Sequence, residues 1–503
     1  MRPLANCQQG ELEGIEKDGV LQFRSIPYAK PPVGELRFAA PQPPLPWTGV
    51  FDASKFGAMS AQKAGGLSAL LGDGALGASE DSLTLNVWTS SCDDAARPVM
   101  VWIHGGGFIN GSGSTPWYDG TNFVQRGDVV VVTLNYRLGA FGFLWLGDID
   151  SSYRSSGVNG LLDQIAALQW VQDNIANFGG DPNNVTIFGE SAGGMSVSTL
   201  LTMPAAKGLF HKAIAQSGAG HNTFSTTTAS VITEMFFTTA GISSIDELLQ
   251  LDTTTVAELT ANVEAQLFAD TSRIANDSGI SLAMPFQPVV DGNYLPKHPV
   301  ETFLSGEDHA VPLLTGTNLD EWNLFAMMTP KQLDEDRLRE RAKRIFGESE
   351  NAIATYRKAN PQASATDVWN AVMTDGTFRI PALRMVEARQ HPSYLYMFTW
   401  PSPAFDGIIK SCHALEIPFV FGHLDAPGAE FFLGSERNDD LYALANAMGD
   451  CWIAFARTGS PQTADLEWPQ WNGENYPTMI FDVQRKLVAD PLQEERKLWD
   501  GLL

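Results

Sequence analysis

Residues 178–195, FGGDPNNVTIFGESAGGM, constrain this chain more than any other stretch. Val185, Thr186, Ile187 and Phe188 are β-branched or aromatic and read as a short buried strand. Gly189-Glu190-Ser191-Ala192-Gly193 follows, a G-x-S-x-G pentapeptide, and the residues from Ala192 to Leu201 are mostly small and suit a helix. A serine on such a strand-to-helix turn is held in a strained backbone conformation with its hydroxyl exposed. A Cβ at position 189 or 193 would clash across the turn, so glycine is needed there. The helix N-terminus behind the serine puts positive partial charge where an oxyanion would develop. The pentapeptide alone is a weak signal, and its flanking strand and helix make it specific. Ser191 is the candidate nucleophile, and Ala192 carries the first candidate oxyanion N–H.

The rest of the chain supplies a sheet for this unit. Residues 83–88, 99–103 and 129–135 are predicted strands, and two of them lead straight into Gly-rich or polar turns. Further strands are expected at 213–216, 312–316, 394–399 and 479–481. Leu161, Ile165, Leu168, Val171 and Ile175 fall on one helical face, with Asn159 as N-cap and Gly179, Gly180 and Pro182 as the stop. Residues 332–346 and 363–390 are also expected to be helical. Leu441, Leu444, Met448, Trp452 and Phe455 mark one more helix, ended by Gly459 and Pro461. Pro27, Pro31, Pro32 and Gly34 make residues 23–38 extended and turn-rich. The pattern predicts an α/β fold with a large, mostly parallel twisted sheet flanked by helices. No linker, repeat or low-complexity tract divides residues 1–503, so one domain is expected, with helix-rich insertions at roughly 225–280 and 326–392.

Ile103 runs into His104-Gly105-Gly106-Gly107-Phe108. Successive glycines after a buried strand suit close approach of backbone to a ligand. No Gly-Lys-Ser/Thr follows, which disfavours a phosphate loop. A loop of this HGGG type supplies the second half of an oxyanion hole, with N–H groups converging on that of Ala192. Gly106 and Gly107 are the candidate donors.

The formal net charge of −25 repels phosphate backbones and anionic lipid, so nucleic-acid and membrane partners are not expected. Residues 1–10 lack the apolar region of a signal peptide. The apolar stretch 129–146 is interrupted by Asn135 and Arg137, so it is not a membrane span. Cys7, Cys92, Cys412 and Cys451 show neither disulfide-like nor metal-like spacing. Free thiols in a reducing cytoplasm are the expectation. With no HExxH or zinc-spaced cluster, no metal or cofactor is expected.

Several stretches together resemble the type-B carboxylesterase family of the α/β-hydrolase fold, which includes bacterial nitrobenzyl esterases, animal carboxylesterases and cholinesterases. They are IPYAKPPVGELRF, EDSLTLNVW (80–88), HGGGF, LNYRLGAFGF (134–143), GLLDQIAALQWVQDNIANFGGDP, GESAGG, AIAQSG (213–218), GTNLDE (316–321), HALEIPFVFG (413–422) and FARTGSP (455–461). They span nearly the whole chain in family order. The resemblance implies a serine hydrolase acting on small-molecule carboxylic esters, with Ser191 as nucleophile, Glu321 as acid and His413 as base. The order Ser…Glu…His is the one this fold uses. An imidazole can take the serine proton near neutral pH, and the carboxylate orients the ring. The family places its triad carboxylate last in the G-T-N-x-D-E run, which favours Glu321 over Asp320. The resemblance also makes Glu190 and Ser217 supporting groups behind the triad. It pairs Arg37 with Glu80 and Arg137 with Asp163, and it puts Leu282, Met284, Phe286, Trp322 and Phe325 around the substrate pocket.

The chain departs from the family pattern in three places. Ser82 and Ser60 stand where the family commonly has a disulfide. The 56–82 loop carries no Trp or Tyr after Phe56, so choline esters, which cholinesterases hold by cation–π attraction in this loop, are not the expected substrates. Trp322 stands where the family commonly has glycine. Amide, thioester or carbamate cleavage by the same triad stays open, as does a non-catalytic scaffold relative.

Overall fold

Eleven strands pair into one sheet in the computed structural model, which describes residues 2–63, 65, 76–269, 284–328, 332–358 and 360–502. In chain order they are β1 (Ile15–Lys17), β2 (Val20–Pro27), β3 (Thr84–Thr89), β4 (Arg97–Ile103), β5 (Val130–Leu134) and β6 (Gly180–Glu190). After them come β7 (Lys212–Gln216), β8 (Leu313–Asn318), β9 (Ser393–Phe398), β10 (Pro477–Phe481) and β11 (Lys486–Ala489). Their spatial order is β11-β10-β9-β8-β7-β6-β4-β5-β3-β2-β1. Pairing is parallel from β10 through to β5 and antiparallel at both margins. Every residue of β4, β5, β7 and β8 is buried. A parallel sheet with both faces covered demands this, and it explains why β4 and β5 read as nearly continuous apolar runs.

The covering helices include α1 (Asn159–Asn174), α2 (Ala192–Leu200), α3 (Thr226–Ala240), α4 (Thr253–Ala269) and α5 (Trp322–Met328). Then follow α6 (Glu335–Phe346), α7 (Ser349–Arg357), α8 (Ala365–Thr374), α9 (Ile380–Ala388) and α10 (Asp439–Thr458). One core lies between the sheet and α1, α2 and α3. A second, on the opposite face, gathers Trp102, Phe188 and Phe421 against Met448 and Trp452 of α10. No helix among the described residues is long and apolar enough to cross a membrane.

The strand order reverses at β4: β5 lies on one flank of it and β6 on the other. In open α/β sheets, ligands bind at the carboxyl ends of the strands where the order reverses. The carboxyl end of β4 opens into the glycine loop, and that of β6 delivers Ser191.

Each strand expected from the sequence forms, within a few residues of its expected ends. One reading needs correction. Asn159 is the first residue of α1 and not its cap; its Nδ2 donates to Phe38 O at 2.8 Å and ties the helix to the extended N-terminal segment. The 363–390 stretch is helical as expected, with a π-helical segment, Asp375–Arg379, joining α8 to α9. Pro381 has no N–H to give, and its ring crowds the carbonyl four residues earlier, so the register widens ahead of it. Residues 23–38 hold a short 3₁₀ turn, Gly34–Leu36, inside the extended stretch. β1, β2 and β11 lie at the margins and carry too much polar sequence to show as apolar runs. In the insertion at 225–280, residues 270–280 lie outside the described residues.

Both expected ion pairs form, Arg37 with Glu80 partly buried and Arg137 with Asp163 buried. Arg37 Nε donates to Glu80 Oε2 at 2.7 Å. Arg137 Nε and Nη2 donate to the two oxygens of Asp163 at 2.8 and 2.7 Å, and its backbone N–H adds a third bond at 3.0 Å. Ser60 Oγ and Ser82 Oγ lie 3.0 Å apart, so a hydrogen bond joins the two positions where the resemblance implied a lost disulfide.

Candidate active site

The turn at the end of β6 holds Ser191 at φ 56°, ψ −124°, a region that non-glycine residues avoid. Ser191 N–H donates to Gln216 O at 2.9 Å, and Ser191 O accepts from Met195 N–H at 2.8 Å. Both ends of the turn press on the end of β4. A Cβ on Gly193 would stand 2.0 Å from Ile103 O, and one on Gly189 would stand 2.5 Å from the same oxygen. Glycine at these two positions is a steric requirement.

Glu321 follows β8 and is fully buried. Its Oε1 accepts from Ser217 Oγ at 2.6 Å and from Asn318 N–H at 2.7 Å. Its Oε2 lies 2.6 Å from His413 Nδ1. A carboxylate only accepts, so Nδ1 carries the proton and Nε2 holds the free lone pair of the neutral ring. Asp320 points elsewhere: its Oδ2 receives the Ser411 N–H at 3.4 Å. His413 Nε2 lies 3.2 Å from Glu190 Oε1, one residue from Ser191. Burial weakens the hold of His413 on its proton. The negative charges of Glu190 and Glu321 and the hydrogen bond to Glu321 outweigh burial and raise the imidazole to about 9. Burial pushes the Glu190 carboxyl well above the ordinary range while the His413 charge pulls it back down, so the carboxylate and the imidazolium stabilise each other as a pair.

The glycine loop is fixed from behind by His104. Its ring stacks on Tyr136 with centroids 4.5 Å apart, Tyr136 OH donates to its carbonyl at 2.9 Å, and its Nδ1 lies 2.8 Å from Gly105 O. Burial lowers this imidazole to about 4, so it stays neutral. The carbonyl of Gly106 accepts from Ile109 and Asn110 N–H at 3.1 and 2.9 Å. Gly106 has φ 107°, and a Cβ there would sit 2.3 Å from Asn110 O. A Cβ on Gly105 would lie 3.1 Å from Ser191 Cβ. The loop and the serine turn are therefore in contact.

A model of the carboxylesterase family matches residues 2–499. Para-nitrobenzyl esterase of Bacillus subtilis (strain 168) is 40% identical over 498 residues, 98% of each chain. Phenmedipham hydrolase of Pseudarthrobacter oxydans is 34% identical over 505 residues, 98% of this chain and 97% of that one. The crystal structure of a carboxylesterase from Geobacillus stearothermophilus superposes with TM-score 0.87 at 40% identity, covering 99% of this chain and 100% of that one. The chain belongs to the carboxylesterase family. It is a carboxylic ester hydrolase with the α/β-hydrolase fold.

In this carboxylesterase the residues expected around the pocket divide. Met284 is buried, and its Sδ lies 3.9 Å from where a Cβ on Gly107 would stand, so it faces the glycine loop. Phe325 packs on His413 with centroids 5.1 Å apart, and half-buried Trp322 packs on Phe325 at 5.1 Å. Phe286 is fully buried and edge-on to Phe236 of α3. Leu282 lies outside the described residues.

The sequence did not single out the buried frame behind the triad. Asn318 Nδ2 donates to Glu416 Oε2 at 2.7 Å, Gln216 Nε2 donates to Glu416 Oε1 at 3.0 Å, and Trp452 Nε1 donates to Gln216 Oε1 at 2.9 Å. Asn318, Glu416 and Gln216 stand inside GTNLDE, HALE and AIAQSG, so their place in those stretches was the available signal. Phe378 was missed altogether. Its ring lies 4.8 Å from His413, and nothing local in 363–390 marks it.

Glu190 yields a prediction about pH. The base must be neutral to accept a proton, so kcat/KM should rise as pH rises through the value for His413. Glu190→Gln keeps the shape and removes one of the charges holding the imidazole proton. The acidic limb of the kcat/KM profile should then move down by about one pH unit. A limb that stays in place would mean that Glu190 exerts no electrostatic hold on His413.

Proposed function

We propose that Ser191 attacks the ester carbonyl, with His413 as general base, to form an acyl-enzyme. His413 takes the serine proton through Nε2 and passes it to the departing alcohol. It then takes a proton from water, which attacks the acyl group, and returns that proton to Ser191 as the acid leaves. Glu321 orients the ring and stabilises the imidazolium. The N–H groups of Gly106, Gly107 and Ala192 hold the oxyanion. The observation that carries this reading is the continuous run of hydrogen bonds from Ser217 through Glu321 to His413, whose Nε2 lies 3.2 Å from Glu190, the residue just before Ser191 in the strained turn.

The substrate is a small-molecule ester, and the acyl side accepts groups larger than acetyl. Met284 supports this, since a thioether side chain adapts its shape where phenylalanine would not. Each added methylene buried contributes up to about 0.8 kcal/mol, so kcat/KM should rise a few-fold per carbon until the pocket fills. Acetate, butyrate, hexanoate and benzoate esters of one alcohol test this, followed by the same series with Met284→Phe. A wild-type preference for acetate, or a profile unchanged in the variant, would remove the assignment. A matched thioester and anilide in the same series test bond selectivity, and the ester should turn over fastest. A reducing compartment fits this enzyme, since its four cysteines are unpaired and Ser60 bonds to Ser82.

A further inference from the structure

Phe378 sits on the π-helical segment between α8 and α9. Such segments are rare and recur at functional sites, because the widened turn moves one side chain out of helical register. Here the displaced ring lies against the catalytic imidazole at 4.8 Å, tilted by 37°. Phe325 meets the same imidazole at 5.1 Å, and the two phenyl rings are nearly parallel, 6.0 Å apart. The three centroids form a triangle, so the imidazole rests against a wall of two rings while its Nδ1 edge is held by Glu321. The residue just before the segment, Thr374, accepts the N–H of Trp322 at 3.0 Å. Trp322 directly follows Glu321. One short stretch thus touches both the histidine and the element that carries the acid.

A widened helical turn needs something to hold it. Arg379 Nε and Nη2 both donate to Asp375 at 2.6 Å, clamping the two ends of the segment. Tyr356 OH, on α7, donates to Asp375 Oδ2 at 2.7 Å. Trp499 Nε1 donates to that same hydroxyl at 2.9 Å. All four side chains are buried. Buried polar groups in a satisfied network are expensive to loosen, so such a network can hold one geometry.

We propose that the Trp499–Tyr356–Asp375–Arg379 network positions Phe378 against His413, and that Phe378 is a positioning residue for the base. This rests on His413 being the general base. Without the ring, the imidazole gains room to rotate away from its working orientation, which lowers kcat and leaves substrate binding nearly unchanged. The network acts on the reaction through Phe378 alone.

The test is a double-mutant cycle of Phe378→Leu and Tyr356→Phe, read as kcat and KM on one ester, with Tm for each variant. Phe378→Leu should lower kcat about ten- to a hundredfold, as a displaced catalytic group does, with KM within about twofold. Tyr356→Phe should lower kcat about three- to tenfold, and the double variant should be no slower than Phe378→Leu alone. Phe378→Tyr, which restores a ring, should recover most of the loss. Multiplicative losses in the double variant, a change confined to KM, or a lowered Tm with unchanged kcat would each overturn the proposal. If Phe378→Leu does not fold, Phe378→Met, which also removes the ring, takes its place against Tyr356→Phe, with the same criterion. An organophosphate control separates the two readings. If Ser191 is labelled and the losses multiply, only the positioning role fails. If Ser191 is not labelled, the triad assignment fails first.

Discussion

Ser191→Ala is expected to lower kcat by on the order of 10⁴–10⁶, with residual turnover still about 10³–10⁴ above the reaction in water. The loss is large because the three groups work as a unit. Without the hydroxyl there is no atom to acylate, and the proton transfer through His413 has no partner. The residue of activity comes from the backbone donors, which still meet an oxyanion formed by direct attack of water. His413→Ala should cost about as much, and combining the two should add little. An organophosphate should label the wild-type enzyme once, at Ser191, and should not label Ser191→Ala, as read by intact mass and peptide mapping. Substantial activity in Ser191→Ala would end the triad assignment.

Arg137→Ala is expected to destabilise the fold by about 3–5 kcal/mol, because it leaves a carboxylate uncompensated in the interior. Asp163 has no exposed surface, and its two oxygens receive three N–H groups of Arg137, one of them the backbone N–H that survives the substitution. Arg137 also donates through Nη1 to Ala39 O at 2.7 Å, so the extended N-terminal segment loosens as well. The segment after Arg137 reaches the active site: Gly139 N–H donates to Phe108 O at 2.7 Å, directly behind the glycine loop. Activity should therefore fall together with stability. The exposed pair of Arg126 with Asp450 is the control. Arg126→Ala there should cost roughly 0–1 kcal/mol, since water already screens the pair. Thermal unfolding of the three proteins measures the contrast. Equal shifts for Arg137→Ala and Arg126→Ala would show that burial of the 137–163 pair is not what stabilises it.

Local chemistry carried much of this enzyme's architecture into its sequence. The central strands were legible because a parallel sheet covered on both faces leaves few polar positions, so mostly apolar runs such as 99–103 and 129–135 stand out. The serine turn was legible because its sterics admit only glycine at 189 and 193, and the Ile103 carbonyl is the atom that forbids anything larger. The edge strands β1 and β11 were not legible, since at the margin of a sheet polar residues cost little and erase the pattern. Glu321 could be chosen over Asp320 only through resemblance, because two adjacent acids look alike until the backbone aims one of them.

Residue types and their local spacing thus determined the fold class, the nucleophile turn and the glycine loop, since each depends on sterics or hydrophobicity within a few residues. Tertiary structure decided what depends on groups far apart in the chain. It put Glu190 within 3.2 Å of His413 and packed Phe286 edge-on against Phe236 of α3. It joined Ser60 to Ser82 by a hydrogen bond, and it brought Phe378 to the imidazole on a widened helical turn. Those contacts follow from how the strands order themselves and how the helical insertion packs across them, and no local pattern of residues encodes a distance between segments that meet only in the folded chain.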